Sequence, residues 1–203
     1  MITLDIEQGS PEWIQARLGV VSASDMSKII TPEGKKAVST SWNDLMNRLI
    51  AESYSGRSDA GFTSQDMDNG KEWEDDARNY LAFDLNQQID QVGFIYKDEN
   101  KKVGCSPDGL IGENAGVEIK CPRGSTHVSY LLRGKLPTAY KPQVQASLWI
   151  TQREYWYFLS YYDGLEPLLL KLERDEDYIM KMQSYVADFI GKMHDKRIKI
   201  ENI

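Results

Sequence analysis

Asp108, Glu118 and Lys120 are the residues whose types and spacing could carry out chemistry in this chain. They fall in two short segments, Ser106–Pro107–Asp108–Gly109–Leu110 and Val117–Glu118–Ile119–Lys120–Cys121–Pro122. If the second segment is a strand, its side chains alternate, so Glu118 and Lys120 share one face and Ile119 packs on the other. A turn between the segments would bring Asp108 beside Glu118. Two carboxylates there, with the backbone carbonyl of Ile119 as a further oxygen, make a hard-ligand site suited to Mg²⁺, which Mn²⁺ could replace. Such an ion polarises a phosphate and lowers the pKa of a bound water, and a second would stabilise the leaving oxygen. One or two ions per site are therefore expected. Lys120 can orient the attacking water or offset charge in the transition state, and an ammonium beside a cation can have a lowered pKa and accept a proton. The chemistry expected is metal-dependent hydrolysis of a phosphodiester.

Each piece also has an ordinary reading. Pro-Asp-Gly is a common turn, and Glu-x-Lys is common on exposed edge strands. Here Val117 and Ile119 flank Glu118 with apolar residues, and Cys121–Pro122 closes the segment, which points to an interior strand. Glu74 lies one helical turn before Arg78, between the apolar Trp73 and Ala77, and could add a third carboxylate. Glu72, Asp75 and Asp76 fit a solvated acidic first turn that complements the helix dipole. Gln143 and Gln145 are open to either reading, as site groups or as satisfied core amides.

The elements that would position these groups follow from periodicity and punctuation. Ser10 can cap a helix opened by Pro11 and ended by Gly19. Ser22–Ala23–Ser24–Asp25 offers caps for a second helix through Ile30, and Thr31–Gly34 is a turn. Ser39–Ser41 leads into a helix carrying Leu45, Leu49 and Ile50, and Asn69–Phe83 is again helical. Gln91–Tyr96, Lys102–Cys105 and Gly116–Lys120 read as strands, as do Tyr155–Tyr162 and Leu168–Leu172. Thr138–Ile150 reads as a helix with Pro142 in its first turn. A last helix from Asp175 to about Lys196 places Tyr178, Met182, Tyr185, Phe189 and Met193 on one stripe. The fold class expected is α/β, a mixed central sheet with helices on both sides, and residues 1–203 are expected to form one domain.

Bulk properties set the limits. With 203 residues, 41% hydrophobic and 27% charged, the chain can bury a full core. No apolar run approaches the roughly 18 to 20 residues that span a bilayer, and the opening residues lack a secretion signal, so a cytoplasmic protein without a membrane partner is expected. Two cysteines, Cys105 and Cys121, are too few for a disulfide scaffold, and neither has a second Cys or His at zinc-ligand spacing. The net charge of −7 argues against a nucleic-acid partner. Carboxylates gathered around a cation reverse that sign locally, so the acidity does not exclude DNA.

Several segments together resemble one family, the phage-type 5′-to-3′ exonucleases of the lambda exonuclease kind, also called YqaJ-like viral recombinases, which have a restriction-endonuclease-like core. They are Arg17–Leu18–Gly19–Val20 with Ser22–Ala23–Ser24, Gly70–Lys71 with Glu74 to Arg78, and Cys105 to Leu110 with Glu118 to Pro122. Gln143–Val144–Gln145 leading to Ser147 and Trp149, Trp156–Tyr157–Phe158, and Glu173 to Glu176 complete the order. The resemblance implies that Asp108 and Glu118 bind metal beside the Ile119 carbonyl, and that Lys120, Glu74 and Gln143 position or activate water. It implies that Arg17, Ser24 and Ser106 bind a 5′ phosphate, and Ser24 would stand at a helix N-terminus that favours anions. A further family arginine aligns with Thr126, where Arg123 or His127 could substitute. The turn at Glu33 is acidic where the family's type member is basic, leaving Lys35 and Lys36 as groove contacts, and Met67 matches an apolar residue at the fork.

The activity implied is exonucleolytic digestion of duplex DNA from a 5′-phosphorylated end, releasing mononucleotides and leaving 3′ single strands for recombination. A ring-shaped homotrimer, a single-strand annealing protein as partner, and a phage or prophage gene in a bacterial host are implied with it. Two competing readings are an endonuclease on the same core and a DNA-end binding module without catalysis.

Overall fold

The computed structural model describes residues 1–59 and 65–203, and for residues 65–72 the backbone alone. Met67 therefore lies outside the residues whose side chains are described. The fold is α/β with mixed sheets flanked by helices, as expected from sequence, and its strands divide between two sheets. The first orders β1 (Ile2–Leu4), β4 (Phe94–Tyr96), β5 (Val103–Cys105) and β2 (Val21–Ser22); the second orders β3 (Ile89–Asp90), β6 (Gly109–Ile111), β7 (Ala115–Lys120), β8 (Tyr155–Ser160) and β9 (Leu168–Glu173). The break falls at Ser106–Pro107–Asp108, between β5 and β6. Pro107 has no N–H to continue a ladder, so β5 stops and β6 restarts in the second sheet.

β7 is the middle strand of its sheet, antiparallel to β6 and parallel to β8. An interior strand was expected from its apolar flanks. Its two faces meet different helices. Val117 and Ile119 pack with Ala77 and Leu81 of α3 (Gln65–Leu85), while the opposite face looks toward α5 (Lys141–Thr151), whose Gln143 reaches Glu118. Burying Val117, Ile119 and Leu81 stabilises the layer by about 1.5–3 kcal/mol each. The catalytic-type residues of β7 thus stand between two helices on a strand with no freedom to slip, because a one-residue slip would exchange its faces.

α1 (Pro11–Arg17) starts as expected, with the Trp13 N–H donating to Ser10 Oγ at 3.2 Å. Gly19, at φ +69°, then turns the chain where a side chain would meet Ser53 Cβ at 2.9 Å. That contact docks the end of α1 on α2 (Ser39–Ser55). The helix expected after Ser22 is a 3₁₀ turn, Ala23–Lys28, because Asp25 accepts from both the Ser22 N–H and hydroxyl and tightens the first turn. Pro142 sits buried in the first turn of α5, after a 3₁₀ turn at Thr138–Tyr140. The stripe of α6 (Glu176–Glu201) is borne out: Tyr178, Met182, Phe189 and Met193 are buried in the main core with Trp42, Leu45 and Leu49 of α2. Helix α4 (Gly124–Arg133) has no counterpart in the sequence reading, since its opening Gly-Ser-Thr reads as a loop.

Candidate active site

The β6–β7 hairpin creates the centre of the site. Gly109 pairs with Val117, so extending the antiparallel register by one residue sets Asp108 opposite Glu118. Only glycine fits after Asp108, since a Cβ on Gly109 would lie 2.3 Å from Ile89 Cγ2. The Tyr161 N–H donates to the Lys120 carbonyl at 2.9 Å, so even-numbered carbonyls of β7 face β8. The N–H and carbonyl of Ile119 therefore point the other way, past the start of β6. There the Ile119 N–H donates to Asp108 Oδ2 at 2.6 Å, and its carbonyl lies beside it, outside the ladder.

On the other face of β7, Glu118 is 2% exposed. Its Oε1 is ion-paired with Lys120 Nζ and accepts from Gln143 Nε2 at 2.5 Å. The Lys120 ammonium also stands 5.6 Å from the centre of the Tyr140 ring, within the range of a cation–π contact. Glu74 approaches from α3. Arg78 Nη2 donates to Glu74 Oε1 at 2.7 Å, and Arg78 Nε donates to the Asp108 carbonyl at 2.9 Å. The structure thus brings Asp108, Glu118, Ile119, Lys120, Gln143 and Glu74 to one end of β7. Gln145 is the satisfied core amide: it donates to the Glu173 carbonyl and accepts from the Asp175 N–H. Gln143, one helical face away, belongs to the site.

The electrostatics are those of crowded acids. Burial raises the Glu118 pKa most, Asp108 and Glu74 add to it against the pull of Lys120, and the result is about 7. Burial and then Asp108 push Glu74 up to about 6, opposed by Arg78 and Lys120. Burial also raises Asp108, against Lys120, the Ile119 N–H and Arg78. Burial lowers the Lys120 pKa, but Glu118 and Asp108 raise it further, so these two carboxylates hold it as an ammonium. Among the described residues no three His, Cys, Asp or Glu side chains gather as a ligand set. The donors available to a cation are two carboxylates and one backbone carbonyl. That hard-oxygen set, short of positive charge, fits an ion such as Mg²⁺ that keeps several waters.

Two parallel strands bring a second group of residues together. β2 and β5 pair with Ser22 opposite Gly104, so Ser24 and Ser106 follow neighbouring strand ends. Ser106 Oγ accepts from Trp13 Nε1 at 2.9 Å and from Arg17 Nη1 at 3.0 Å, and the Arg17 guanidinium lies 4.2 Å from the centre of the Trp13 ring. Arg17 and Ser106 therefore meet. Ser24 is exposed; its hydroxyl oxygen lies 2.9 Å from that of Ser22, which lines a cavity with Arg17. Ser22, not Ser24, takes the cap position. Ser106 lies two residues before Asp108, so the two groups are at most about 7 Å apart along the chain.

Three functional-looking residues escaped the sequence reading in this role: Asp25, Arg48 and Arg78. Arg48 donates to Asp25 Oδ1 at 2.6 Å and to Glu52 Oε1 at 3.0 Å. Its one sequence signal was the i, i+4 spacing to Glu52. Of the groups considered for the position of Thr126, His127 is fully buried, with its ring nitrogens on Ser160 Oγ and the Glu166 carbonyl, so it is committed to holding α4 against the turn after β8. Arg123 is exposed at the start of α4. Lys36 pairs with Asp188 at 2.6 Å and covers the Trp42 ring at 4.0 Å. Lys35 is exposed. Glu33 is held below its ordinary range by Thr31 and its own backbone N–H, with smaller help from Lys35 and Lys141, which places this turn near the N-terminus of α5.

Comparison with known proteins places the fold and the family. The family described as the YqaJ-like viral recombinase domain matches residues 12–154. The chain is similar to the crystal structure of an alkaline exonuclease, LHK-Exo, from Laribacter hongkongensis: TM-score 0.86, 28% identity, covering 95% of this chain and 97% of that one. The structure of LHK-Exo in complex with dAMP matches equally, at TM-score 0.86 and 29% identity. A phage-related exonuclease from Haemophilus somnus 129PT shares the fold at TM-score 0.70 and 14% identity, covering 90% of this chain and 96% of that one. Among curated proteins, an uncharacterised protein ExoD of Escherichia coli (strain K12) is 34% identical over 70 residues, which are 32% of this chain and 78% of ExoD. A chain matched by the family over residues 12–154, and alike in fold to these exonucleases, belongs to the YqaJ-like viral recombinase domain family.

Proposed function

We propose that this chain is a magnesium-dependent exodeoxyribonuclease that enters duplex DNA at an end and digests the 5′ strand in the 5′-to-3′ direction. It releases mononucleotides and leaves 3′ single strands for recombination. The family and the exonuclease fold support a nuclease acting on DNA. The observation that carries the finer reading is the hydrogen-bonded set at the end of β7, in which Asp108 caps Ile119 while Lys120 and Gln143 converge on Glu118.

Asp108, Glu118 and the Ile119 carbonyl are the residues that would hold Mg²⁺ or Mn²⁺, one or two ions per site. The bound ion supplies Lewis-acid polarisation of the scissile phosphate and a more acidic water. Lys120 brings an ammonium to the phosphate oxygens, where charge builds in the transition state. Gln143 fixes the rotamer of Glu118. Glu74, with its pKa at about 6, can take a proton from the attacking water near neutral pH. Arg17 and the hydroxyls of Ser106 and Ser24 anchor the terminal 5′ phosphate. By the family resemblance, three copies form a ring around the product strand, and a single-strand annealing protein receives it. Lys35, Lys36, Arg123 and Met67 are proposed as peripheral DNA contacts.

The test is digestion of linear duplex, labelled at either end, with Mg²⁺ present, beside closed circular DNA. Loss of label from 5′-phosphorylated ends with circles intact is the result expected. Cut circles would favour an endonuclease, and end binding without nucleotide release would favour a non-catalytic module.

A further inference from the structure

Beside Arg17 lies a cavity of about 130 Å³ whose wall includes Trp13, Arg17, Ser22, Asp25, Arg48 and Glu52. Two buried carboxylates in that wall are unexpected. Asp25 is 6% exposed and Glu52 3%, and a pocket built only for the tightest hold on a phosphate would not include them. Arg48 grips both, through Asp25 Oδ1 and Glu52 Oε1. Glu52 in turn accepts from the Gly19 N–H at 3.5 Å, which ties the network to the end of α1 that carries Arg17. Burial raises Asp25, but Arg48, the Ser22 hydroxyl and Lys28 outweigh it, so Asp25 stays ionised across the neutral range.

An ionised Asp25 also fixes the direction of the neighbouring hydrogen bonds. A hydroxyl has one proton to give. Ser22 gives its proton to Asp25 Oδ2, at 2.6 Å. The Ser22–Ser24 contact of 2.9 Å must then be made with the proton of Ser24. Ser24 presents lone pairs to an incoming anion and has to turn its hydroxyl off Ser22 before it can donate. Ser106 is arranged in the opposite sense: its oxygen accepts from both Trp13 and Arg17, which leaves its own proton to offer. Of the two serines bonded to the cavity wall, Ser106, on Trp13 and Arg17, is set to bind a phosphate, and Ser24, on Ser22, is held back.

We propose that Asp25 tempers the anion pocket: through its charge and through Ser22 it weakens the hold on a terminal phosphate monoester so that the phosphate is released between cleavage events. The inference rests on the exonuclease reading given above. An enzyme that anchors a 5′ phosphate while removing nucleotides one at a time must surrender that phosphate in every cycle, since the next one takes its place. Asp25 acts through Ser22, Ser24 and Arg17 and is a positioning residue, not a catalytic one.

The experiment compares wild type, Asp25→Asn and Ser22→Ala on 5′-phosphorylated linear duplex, with a deoxynucleoside 5′-monophosphate as inhibitor and the unphosphorylated nucleoside as control. Asp25→Asn should bind the monophosphate about tenfold more tightly, as expected for removing one nearby charge at protein-like screening. KM for phosphorylated ends should fall with it, and kcat should fall because release becomes slow. Ser22→Ala, which frees the Ser24 proton with little change in packing, should move all three in the same direction by a smaller factor. A purely structural role predicts weaker binding in both variants. Weaker or unchanged binding of the monophosphate in Ser22→Ala overturns the proposal even if Asp25→Asn does not fold. If wild type neither prefers phosphorylated ends nor is inhibited by the monophosphate, the anion pocket itself is wrong, a different failure from a preference that the variants leave untouched.

Discussion

Two buried charge clusters lie close together in this chain, and they are balanced in opposite ways. At the end of β7, Asp108, Glu118 and Glu74 share Lys120 and Arg78, and all three carboxyls are pushed upward, Glu118 to about 7 and Glu74 to about 6. In the wall between α1 and α2, Asp25 and Glu52 share Arg48, Lys28 also pairs with Asp25 and Arg17 adds its charge, and Asp25 is pushed downward. The first cluster is electrostatically incomplete without a further cation. The second is complete and can form as the chain folds. Within one fold, a carboxylate group short of positive charge marks where chemistry needs a cofactor, and a matched group marks where geometry must be fixed beforehand.

The largest expected effect tests the incomplete cluster. Glu118→Gln should cut Mg²⁺-dependent nucleotide release from labelled linear duplex by about 10³-fold, in the range for loss of a principal electrostatic group. The same exchange should raise the thermal midpoint of metal-free protein, because it removes a charge that burial disfavours more than Lys120 compensates. A lowered midpoint would place Glu118 in the balanced class. Next in size, Arg48→Met should destabilise the fold by about 3 kcal/mol in urea unfolding, since it leaves Asp25 and Glu52 buried without their shared partner. A loss below ~1 kcal/mol would show that the second cluster is not preformed. Arg78→Ala should lower turnover by about tenfold and raise the Mg²⁺ concentration needed for half-maximal rate, because Arg78 holds both Glu74 and the Asp108 carbonyl. An unchanged Mg²⁺ requirement would confine Arg78 to packing α3.

The smallest effect is in pH. Glu118 and Glu74 have folded values above their ordinary 4.5, so the fold favours their neutral forms. Their contribution is fully present below about pH 4.5 and is lost as pH rises through about 6 and 7. Asp25 has a folded value below 3.8; its contribution is present above 3.8 and lost as pH falls through the lower value. Metal-free protein should therefore soften between about pH 4.5 and 7.5, and Mg²⁺ should restore more stability at the upper end than at the lower. Thermal midpoints with and without Mg²⁺ measure this, and parallel profiles would remove the distinction between the clusters.

The contrast also explains what could be read from sequence. Asp108, Glu118 and Lys120 were legible because a hairpin and strand alternation place them, and both are short-range rules. Gln143 and Glu74 lie on other helices, and periodicity alone did not separate Gln143 from the core amide Gln145. Asp25, Arg48 and Arg78 were not legible as a set because their contacts span 23 and 30 residues of chain. Each looks locally like an ordinary cap or helix-surface charge. In the fold, the long periodic helices and β8 and β9 were evident, whereas β6 has only three residues and α4 opens on residues that usually mark loops. The division of the strands between two sheets was not legible because the Pro107 break carries no periodic signal of its own.

Asp108 has a second task besides its charge. By accepting from the Ile119 N–H it stands in for the partner strand that begins only one residue later, and so finishes the edge of β7 with a side chain. Removing the whole carboxyl would therefore loosen the strand end as well as the chemistry, and a dead Asp108→Ala enzyme would report both losses together. Asp108→Asn keeps an acceptor of the same length for that amide while deleting the charge, so it separates the architectural duty of this residue from its reactive one.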